Sequence, residues 1–182
     1  MKKLKEWIFK TFFNEYYQLM ERSKKFIDRA SYKIDSLNRK CKYHEKIYET
    51  VNKLINEENT ILGIEKNKED NYMIVCNPRN VNDLYLADSS DRRIKPRIFG
   101  RKEGNVIHID DFFAINEDLG NGSILLKYFI NRARLNKAEK IKGWISPVDK
   151  ERFNKLEYFY KKNGFNVKFK EDRSEGWIEL KL

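Results

Sequence analysis

The N-terminal part of the chain has a hydrophobic pattern with the period of a helix and no residue that would interrupt one. The first glycine is Gly63 and the first proline is Pro78. Before them, the residues of one seam recur at the alternating three- and four-residue spacing of a coiled coil: Ile27, Ala30, Ile34, Leu37, Cys41, His44, Tyr48, Val51 and Ile55. The pattern predicts one long helix over residues 1–58, or two helices bent near Met20 to Lys24.

A coiled coil or a helical hairpin is the structure that this seam favours, and a coiled coil would make the chain a homo-oligomer. An ordinary amphipathic helix that lies on the rest of the chain is the alternative. In each case residues 1–58 form a helical extension, and residues 59–182 form a domain of their own.

After Thr60 the hydrophobic positions follow the shorter period of strands, with two helices between them. Apolar runs predict strands over six segments: 72–76, 84–87, 106–115, 141–145, 165–169 and 177–182. Gly104-Asn105 predicts a hairpin turn before the third of these. Helical spacing predicts one helix from about Ser123 to Ala138, and a second from Ser146-Pro147 to Asn163-Gly164. This order indicates an α+β domain.

Composition narrows the class of protein. A hydrophobic content of 40% and an aromatic content of 14% are too high for a disordered chain. The net charge of +10 favours a polyanionic partner: nucleic acid, an anionic surface or a phosphorylated cofactor. The two cysteines, Cys41 and Cys76, indicate neither a disulfide framework nor a zinc site. For the same reason we expect no metal. No segment is apolar enough to span a membrane, so we expect a cytoplasmic protein.

Two of the 8 glycines, Gly120 and Gly122, stand one residue apart directly before a predicted helix. A tight loop that leads into a helix N-terminus presents free backbone N–H groups and the positive end of the helix dipole, which together can hold a phosphate. A glycine turn with a purely structural purpose is the alternative, because any strand-to-helix connection can use glycine.

The order of elements around this loop, together with two motifs, resembles the GNAT family of acetyl-coenzyme A-dependent N-acetyltransferases. The family's loop motif, Gln/Arg-x-x-Gly-x-Gly/Ala, is matched by residues 117–122, Glu-Asp-Leu-Gly-Asn-Gly. Its Tyr-x-x-x-Gly-Phe pattern is matched by residues 160–165, with Asn154 six residues before the tyrosine. The resemblance is strongest over residues 107–182. It implies a GNAT-like fold with a mixed, mostly antiparallel central sheet flanked by helices.

The resemblance also implies a function for the matched residues. Tyr160 would protonate the thiolate of coenzyme A as it leaves, and Asn154 would contact the cofactor. Main-chain N–H groups would bind the pyrophosphate of acetyl-coenzyme A, namely those of Leu119, Gly120, Asn121, Gly122 and Ser123. The chain departs from the family at Glu117, where Gln or Arg is usual. With Asp118, this residue puts two negative charges near a dianionic group.

Amine acetylation needs a base, and the strand before the loop offers two carboxylates. Asp110 and Asp111 would point to opposite faces of a regular strand, and one of them could take the proton of the amine, directly or through water. His108, on the same face as Asp110, is another candidate base. A pair of aspartates that form salt bridges or lie at an edge, without a catalytic role, is the alternative.

The sequence therefore favours an enzyme that transfers acetyl directly from acetyl-coenzyme A to a primary amine on a small molecule, a protein or an RNA. The rival is an interaction protein without activity, a degenerate GNAT fold whose basic coiled coil binds nucleic acid or a protein. Residues 92–102 carry six basic side chains. They could receive an acidic substrate, the 3′-phosphate of coenzyme A or RNA. A run of this kind is typical of a solvated hairpin, which is our prediction.

Overall fold

The structure, a computed structural model, describes four stretches of the chain: residues 1–78, 82–89, 95–115 and 117–182. The chain divides into two compact units, residues 1–46 and residues 47–182. The first unit is helical, and the second contains the sheet and its helices. No helix in the described residues is both long enough and apolar enough to cross a lipid bilayer.

Two helices, α1 (Lys2–Phe12) and α2 (Asn14–Asn56), occupy the N-terminal part of the chain. They are separated at Phe13, whose φ of −132° and ψ of 44° are not helical. Of the two predicted alternatives, one long helix or two helices that meet near residues 20–24, the second is wrong, because α2 continues through this segment without interruption. The physical reason is composition: Met, Glu, Arg and Lys in that segment are strong helix formers, and neither glycine nor proline breaks the hydrogen-bond ladder.

The C-terminal end of α2 packs within the second unit through one apolar face. Ile47 and Leu54, seven residues apart, are buried there. The predicted seam passes through the next residue in each case, and Tyr48 and Ile55 are 68% and 52% exposed. The seven-residue period is present, but the packed face lies one residue before the predicted seam. The helix ends at Asn56, and Asn59 caps its last turn, since its Nδ2 donates to the oxygen of Leu54 at 3.1 Å.

In the described part of the chain, eight strands form one sheet: β1 (Thr60–Lys66), β2 (Tyr72–Asn77), β3 (Leu84–Ala87), β4 (Arg97–Glu103), β5 (Val106–Phe113), β6 (Lys140–Ile145), β7 (Asn166–Phe169) and β8 (Gly176–Lys181). Their order across the sheet is β1-β2-β3-β4-β5-β6-β8-β7. All neighbours are antiparallel except β5 and β6, which are parallel. The predicted fold, a mixed and mostly antiparallel sheet after a long helix, is confirmed.

The sequence analysis did not predict β1 or β4. The second of these corrects the solvated hairpin predicted for residues 92–102, because residues 97–103 form a strand inside the sheet. Its buried positions, Ile98 and Gly100, alternate with side chains on the other face. Residues 92–94 lie outside the described residues. Gly104-Asn105 turns β4 into β5 as predicted, with Gly104 in the left-handed region at a φ of +58°.

The core lies between the sheet and two helices, α3 (Asn121–Leu135) and α4 (Phe153–Lys162). The buried side chains come mainly from the central strands and α3: Val75, Leu84, Leu86, Ile98, Ile107, Leu125, Leu126, Phe129 and Ile141. The helix predicted from Ser146 begins as a 3₁₀ helix, Pro147–Arg152, and becomes α-helical only at Phe153. The Ser146 side chain caps that 3₁₀ helix by accepting from the N–H of Val148 at 3.4 Å.

Candidate active site

The parallel strands β5 and β6 separate toward their carboxyl ends. Their ladder stops at Ile109 and Gly143. Both strands continue, to Phe113 and to Ile145, but these described residues do not pair with each other. Ligands of sheets with parallel strands bind outside the carboxyl ends, where neighbouring chain directions diverge. We call the gap beyond Ile109 and Gly143 the strand opening.

A β-bulge on β5 lies at the start of the strand opening. Phe99 and Gly100 are consecutive on β4, yet they pair with Asp111 and Ile109, which leaves Asp110 as the extra residue. The strand is therefore not regular, and the expected alternation of the two aspartates between opposite faces does not hold. Both side chains are exposed. A bulge also bends its strand and increases its twist, which fits the divergence of β5 from β6.

Each aspartate faces an arginine of β4. Arg101 Nε lies 3.7 Å from Asp110 Oδ2, and Arg97 Nη2 lies 4.0 Å from Asp111 Oδ2. Each carboxylate is therefore close to a cation, but both distances are too long for a hydrogen bond. The carboxylate oxygens thus remain able to accept a proton. His108, the other candidate base, places Nε2 at 3.5 Å from a glutamate oxygen of the same hairpin.

The N-terminus of α3 follows the glycine loop and has no side-chain cap. Gly120 precedes it with a φ of +83°, a left-handed conformation that glycine adopts without strain. Within the described residues, the N–H groups of Asn121, Gly122 and Ser123 have no hydrogen-bond acceptor. The first N–H groups of a helix lack partners inside it, and the helix dipole adds a partial positive charge there. This end of α3 is therefore suited to an anion.

Gly122 serves packing at the same place. A Cβ on Gly122 would lie 3.3 Å from the Cβ of Ala114 and 3.3 Å from the Phe159 ring, closer than most real contacts of a Cβ. Ala114 follows β5, and Phe159 belongs to α4. The missing side chain thus lets α3 approach the end of β5 and the last turns of α4. The sequence analysis left phosphate binding and a structural turn open for this glycine, and the structure adds a packing reason.

The loop is held on both sides by hydrogen bonds. Asn121 is 4% exposed, and its Nδ2 donates to the oxygen of Ile115 at 3.2 Å. Its Oδ1 is buried without a hydrogen-bond partner in the described residues. The oxygen of Leu119 accepts from the N–H of Lys68, in the β1–β2 turn, at 3.0 Å. The loop is therefore fixed to the β1–β2 turn on one side and to the segment after β5 on the other, and the buried Oδ1 of Asn121 is left without a donor in the described residues.

Tyr160 lies near the end of α4 and packs against the end of β5. It is 6% exposed. Its ring centroid lies 6.4 Å from that of Phe112, 5.2 Å from Phe159 and 5.6 Å from Phe165. Its hydroxyl makes no hydrogen bond to any residue that the structure describes. Because the Phe159 ring also faces the space where a Gly122 side chain would lie, Tyr160 and the N-terminus of α3 border the same aromatic cluster.

Burial raises the pKa of Tyr160 above its ordinary value, and the negative charges of Asp149 and Asp111 raise it further. The hydroxyl therefore keeps its proton at neutral pH and above. Asp149 was not singled out from the sequence as functional. The sequence did contain a signal for its position. Ser146-Pro147 marks a helix start directly after β6, and Asp149 lies in the first turn of that helix. The parallel strand β5 ends at the same edge of the sheet.

Two other residues singled out from the sequence, Asn154 and Glu117, belong to α4 and to the loop before α3. Asn154 is exposed on α4, and its Oδ1 accepts from Arg173 Nη2 at 3.2 Å. The backbone of Glu117 begins a short 3₁₀ helix, Glu117–Leu119, while its side chain lies outside the described part of the chain. No group of three or more His, Cys, Asp or Glu side chains within the described residues could hold a metal ion.

No protein-family model matches the chain. A curated relative, the uncharacterized protein YocC of Bacillus subtilis strain 168, is 29% identical over 131 residues. The matched part covers 66% of this chain and 77% of that protein.

Three solved structures are similar to the chain. Ard1 from Thermoplasma volcanium has 19% identity and a TM-score of 0.41, covering 54% of this chain and 68% of that one. A Bacillus anthracis strain Ames protein, assigned as a streptothricin acetyltransferase and solved with acetyl coenzyme A, has 16% identity and a TM-score of 0.44, covering 68% and 84%. A nourseothricin acetyltransferase has 12% identity and a TM-score of 0.42, covering 66% and 83%. At these identities and TM-scores, the likenesses carry no argument about the activity of this chain.

Proposed function

We propose that the chain is an acetyl-coenzyme A-dependent N-acetyltransferase of the GNAT type that transfers acetyl directly to a primary amine. The observation that carries the proposal is the strand opening. Around it lie the uncapped N-terminus of α3, two carboxylates of β5 and a buried phenol on α4. These are an anion site, a base and an acid, the three groups that acetyl transfer from a thioester to an amine requires.

The N-terminus of α3 is the part that holds the acyl donor in this proposal. The N–H groups of Asn121, Gly122 and Ser123 donate to the pyrophosphate oxygens of acetyl-coenzyme A, and the left-handed turn at Gly120 leaves these groups uncovered. The donor supplies an activated acetyl group as a thioester. Asp118 opposes this binding by its charge, but it is exposed and therefore screened by water.

Asp111 is the proposed base, with Asp110 as the second candidate. The negative charge of Asp111 contributes to the raised pKa of Tyr160, and Phe112, the next residue of β5, places its ring centroid 6.4 Å from that of Tyr160. Asp110 is the extra residue of the bulge and lies nearer to its arginine, at 3.7 Å against 4.0 Å for Asp111. Asp111 accepts a proton from the amine, directly or through water, as the nitrogen forms its bond to the acetyl carbon.

Tyr160 is the proposed acid. As the bond between the acetyl carbon and sulfur breaks, the phenolic proton passes to the departing thiolate. Because burial raises its pKa, the hydroxyl carries its proton before the step. The absence of a hydrogen-bond partner in the described residues leaves the proton available. The amine proton and the phenolic proton thus end on Asp111 and on sulfur, and solvent restores both groups afterwards.

Two measurements test the proposal. Calorimetry of the full chain with acetyl-coenzyme A is expected to show binding, and a thiol-release assay with a panel of primary amines is expected to show turnover. Asp111→Asn should lower kcat by roughly 10²–10⁴-fold, the range for a positioned base, and Asp110→Asn should lower it less. Absence of acetyl-coenzyme A binding, or thiol release with none of the amines, would remove the proposed function.

A further inference from the structure

A cavity of about 280 Å³ lies in the second unit, beside Pro78 and strands β3 and β4. Its lining includes Asp83, Tyr85, Lys95, Arg97 and Phe99. Ligand pockets for whole drug-sized molecules begin at about 300 Å³, so this cavity suits one chemical group of a small molecule. The charged side chains that line the cavity indicate what that group is.

Arg97 presents a fixed, incompletely used guanidinium to this cavity. Its Cζ lies 5.2 Å from the ring centroid of Phe99 and 5.7 Å from that of Phe113, so two aromatic rings hold the group. Its Nε is buried without a hydrogen-bond partner in the described residues, and Asp111 is too far, at 4.0 Å, to accept a hydrogen bond. A planar fork of N–H donors held in this way is pre-organised for a carboxylate or a phosphate.

Lys95 adds a second positive charge. Its Nζ lies 4.9 Å from the ring centroid of Tyr85, and among the described residues no carboxylate pairs with it. The one acidic side chain of the lining, Asp83, accepts a hydrogen bond from the N–H of Gly100 at 3.2 Å and is thereby engaged with the backbone of β4. Among the described residues of its lining, the cavity therefore holds two cations against one carboxylate, and their potential attracts anions.

Arg97 also connects the cavity to the proposed chemistry. Tyr85 and Arg97 are cross-strand partners of β3 and β4, so the cavity lies at that point of the sheet. On its other side Arg97 faces Asp111, the proposed base. An acceptor whose anionic end contacts Arg97 would therefore have its remaining atoms next to the carboxylate that receives the amine proton.

We propose that the cavity binds the carboxylate or phosphate of the acceptor, and that the acceptor is a small amine carrying a negative charge. This inference rests on the proposed acetyltransferase function for the reaction that follows binding. Arg97 and Lys95 are specificity-determining residues in it, because they select for the anionic end of the substrate and do not touch the reacting atoms.

The test uses three probes of similar size on the full chain: O-phosphoethanolamine, β-alanine and ethanolamine. The first two carry an amine with a phosphate or a carboxylate, and the third carries an amine alone. In calorimetry and in the thiol-release assay, at least one anionic probe is expected to bind and react at least about tenfold better than ethanolamine. Whichever of the two is preferred identifies the anion as phosphate or carboxylate.

Arg97→Gln and Lys95→Gln should each reduce that preference about tenfold or more, whereas Lys142→Gln should leave it unchanged. Lys142 is the matched control, a cation of β6 whose nearest acid is Glu179 at 3.7 Å, outside the cavity. Equal binding of all three probes, no binding at millimolar concentration, or an unchanged preference in both cavity variants would overturn the inference. Turnover with no preference for the anionic probes would contradict the role proposed for the cavity and leave the acetyltransferase function standing. Preferential binding of the anionic probes without turnover would contradict the acetyltransferase function and leave the role of the cavity standing.

Discussion

Two buried groups, Tyr160 and Cys76, have raised pKa values because little water surrounds them. The consequence for chemistry differs between them. An acid must carry its proton before the step, and burial keeps Tyr160 protonated. A thiol reacts as the thiolate, so burial makes Cys76 unreactive. The same desolvation therefore supports a function at one residue and suppresses a side reaction at the other.

Replacing Tyr160 by phenylalanine tests the acid. The three ring contacts remain, and no hydrogen bond to a described residue is lost, so we expect unchanged stability and unchanged affinity for acetyl-coenzyme A. We expect kcat to fall by roughly 10²–10⁴-fold without a matching rise in KM. Tyr158→Phe is the matched control, since Tyr158 is 69% exposed on the same helix. A large loss of melting temperature with normal turnover would contradict the acid role.

The two cysteines should differ in alkylation. Burial raises the pKa of the Cys76 thiol to about 11, whereas Cys41 is exposed. At pH 8 we expect iodoacetamide to label Cys41 readily and Cys76 at least about a hundredfold more slowly than in the denatured chain, because the thiolate is scarce and shielded. Peptide mass spectrometry over time gives both rates. Rapid labelling of Cys76 in the native protein would show that β2 and β3 open frequently.

Among the elements, the contact of α3 with β5 and α4 depends on the absence of a side chain at Gly122. Gly122→Ala would place a methyl group 3.3 Å from Ala114 and from Phe159. We expect it to lower the free energy of unfolding by about 1–3 kcal/mol through overpacking. Ser123→Ala, one residue further along the helix, adds no volume and should change stability little. Chemical denaturation of both variants measures this, and equal stability would mean that the helix shifts freely.

The two faces of α2 can be separated by neighbouring residues. Leu54 is 2% exposed and Ile55 is 52% exposed. Leu54→Ala should destabilise the second unit by about 2–5 kcal/mol, because it removes a buried side chain from a packed site. Ile55→Ala should cost about 0.5 kcal/mol or less in a monomer, as is usual on a surface. Thermal unfolding distinguishes them, and the reverse order would restore the predicted seam as the packed face.

The strands show what local pattern can and cannot provide. The six predicted strands have strong apolar runs, and each is present within a few residues of its predicted bounds. In β4, Ile98 and Gly100 alone carry the buried face, and charged neighbours hide this alternation in the sequence. A strand of this kind is stabilised by partners on both sides, β3 and β5, and such pairing is not visible in a local window.

The parts of the candidate site that depend on local sequence motifs could be predicted, and the parts that depend on pairing between strands could not. The loop at Gly120 and the position of Tyr160 follow from motifs. The bulge at Asp110 and the position of Arg97 between two rings depend on the register of β4 against its neighbours. Register is a property of non-local pairing, so one sequence gives no direct signal for it.

On the scale of the whole molecule, the first unit has no core of its own. None of the side chains of residues 1–46 is fully buried. Large apolar side chains remain exposed along it: Leu4, Trp7, Phe12, Tyr16, Leu19, Met20, Phe26, Ile27, Ile34 and Leu37. An apolar surface of this extent on a helix favours a partner, and the heptad spacing of the seam favours a second copy of the same helix.

We therefore expect the full chain to self-associate, with a concentration-dependent mass in sedimentation experiments. Ile34→Asp should weaken association, because it places a charge in the seam. Tyr32→Asp is the matched control, since Tyr32 is 73% exposed and lies outside the seam positions. A monomeric parent, or equal weakening by both variants, would count against the seam as the contact.

The position of β8 between β6 and β7 affects the order in which the sheet can be completed. Among the described strands β7 pairs with β8 alone, so a nascent chain that has already released β7 from the ribosome holds it without a hydrogen-bonded neighbour. β6 is likewise left with one open edge until β8 inserts. Co-translational folding of this side of the sheet must therefore wait for residues 176–181. During that interval two unpaired edges are exposed, and chaperones or other nascent chains would bind there.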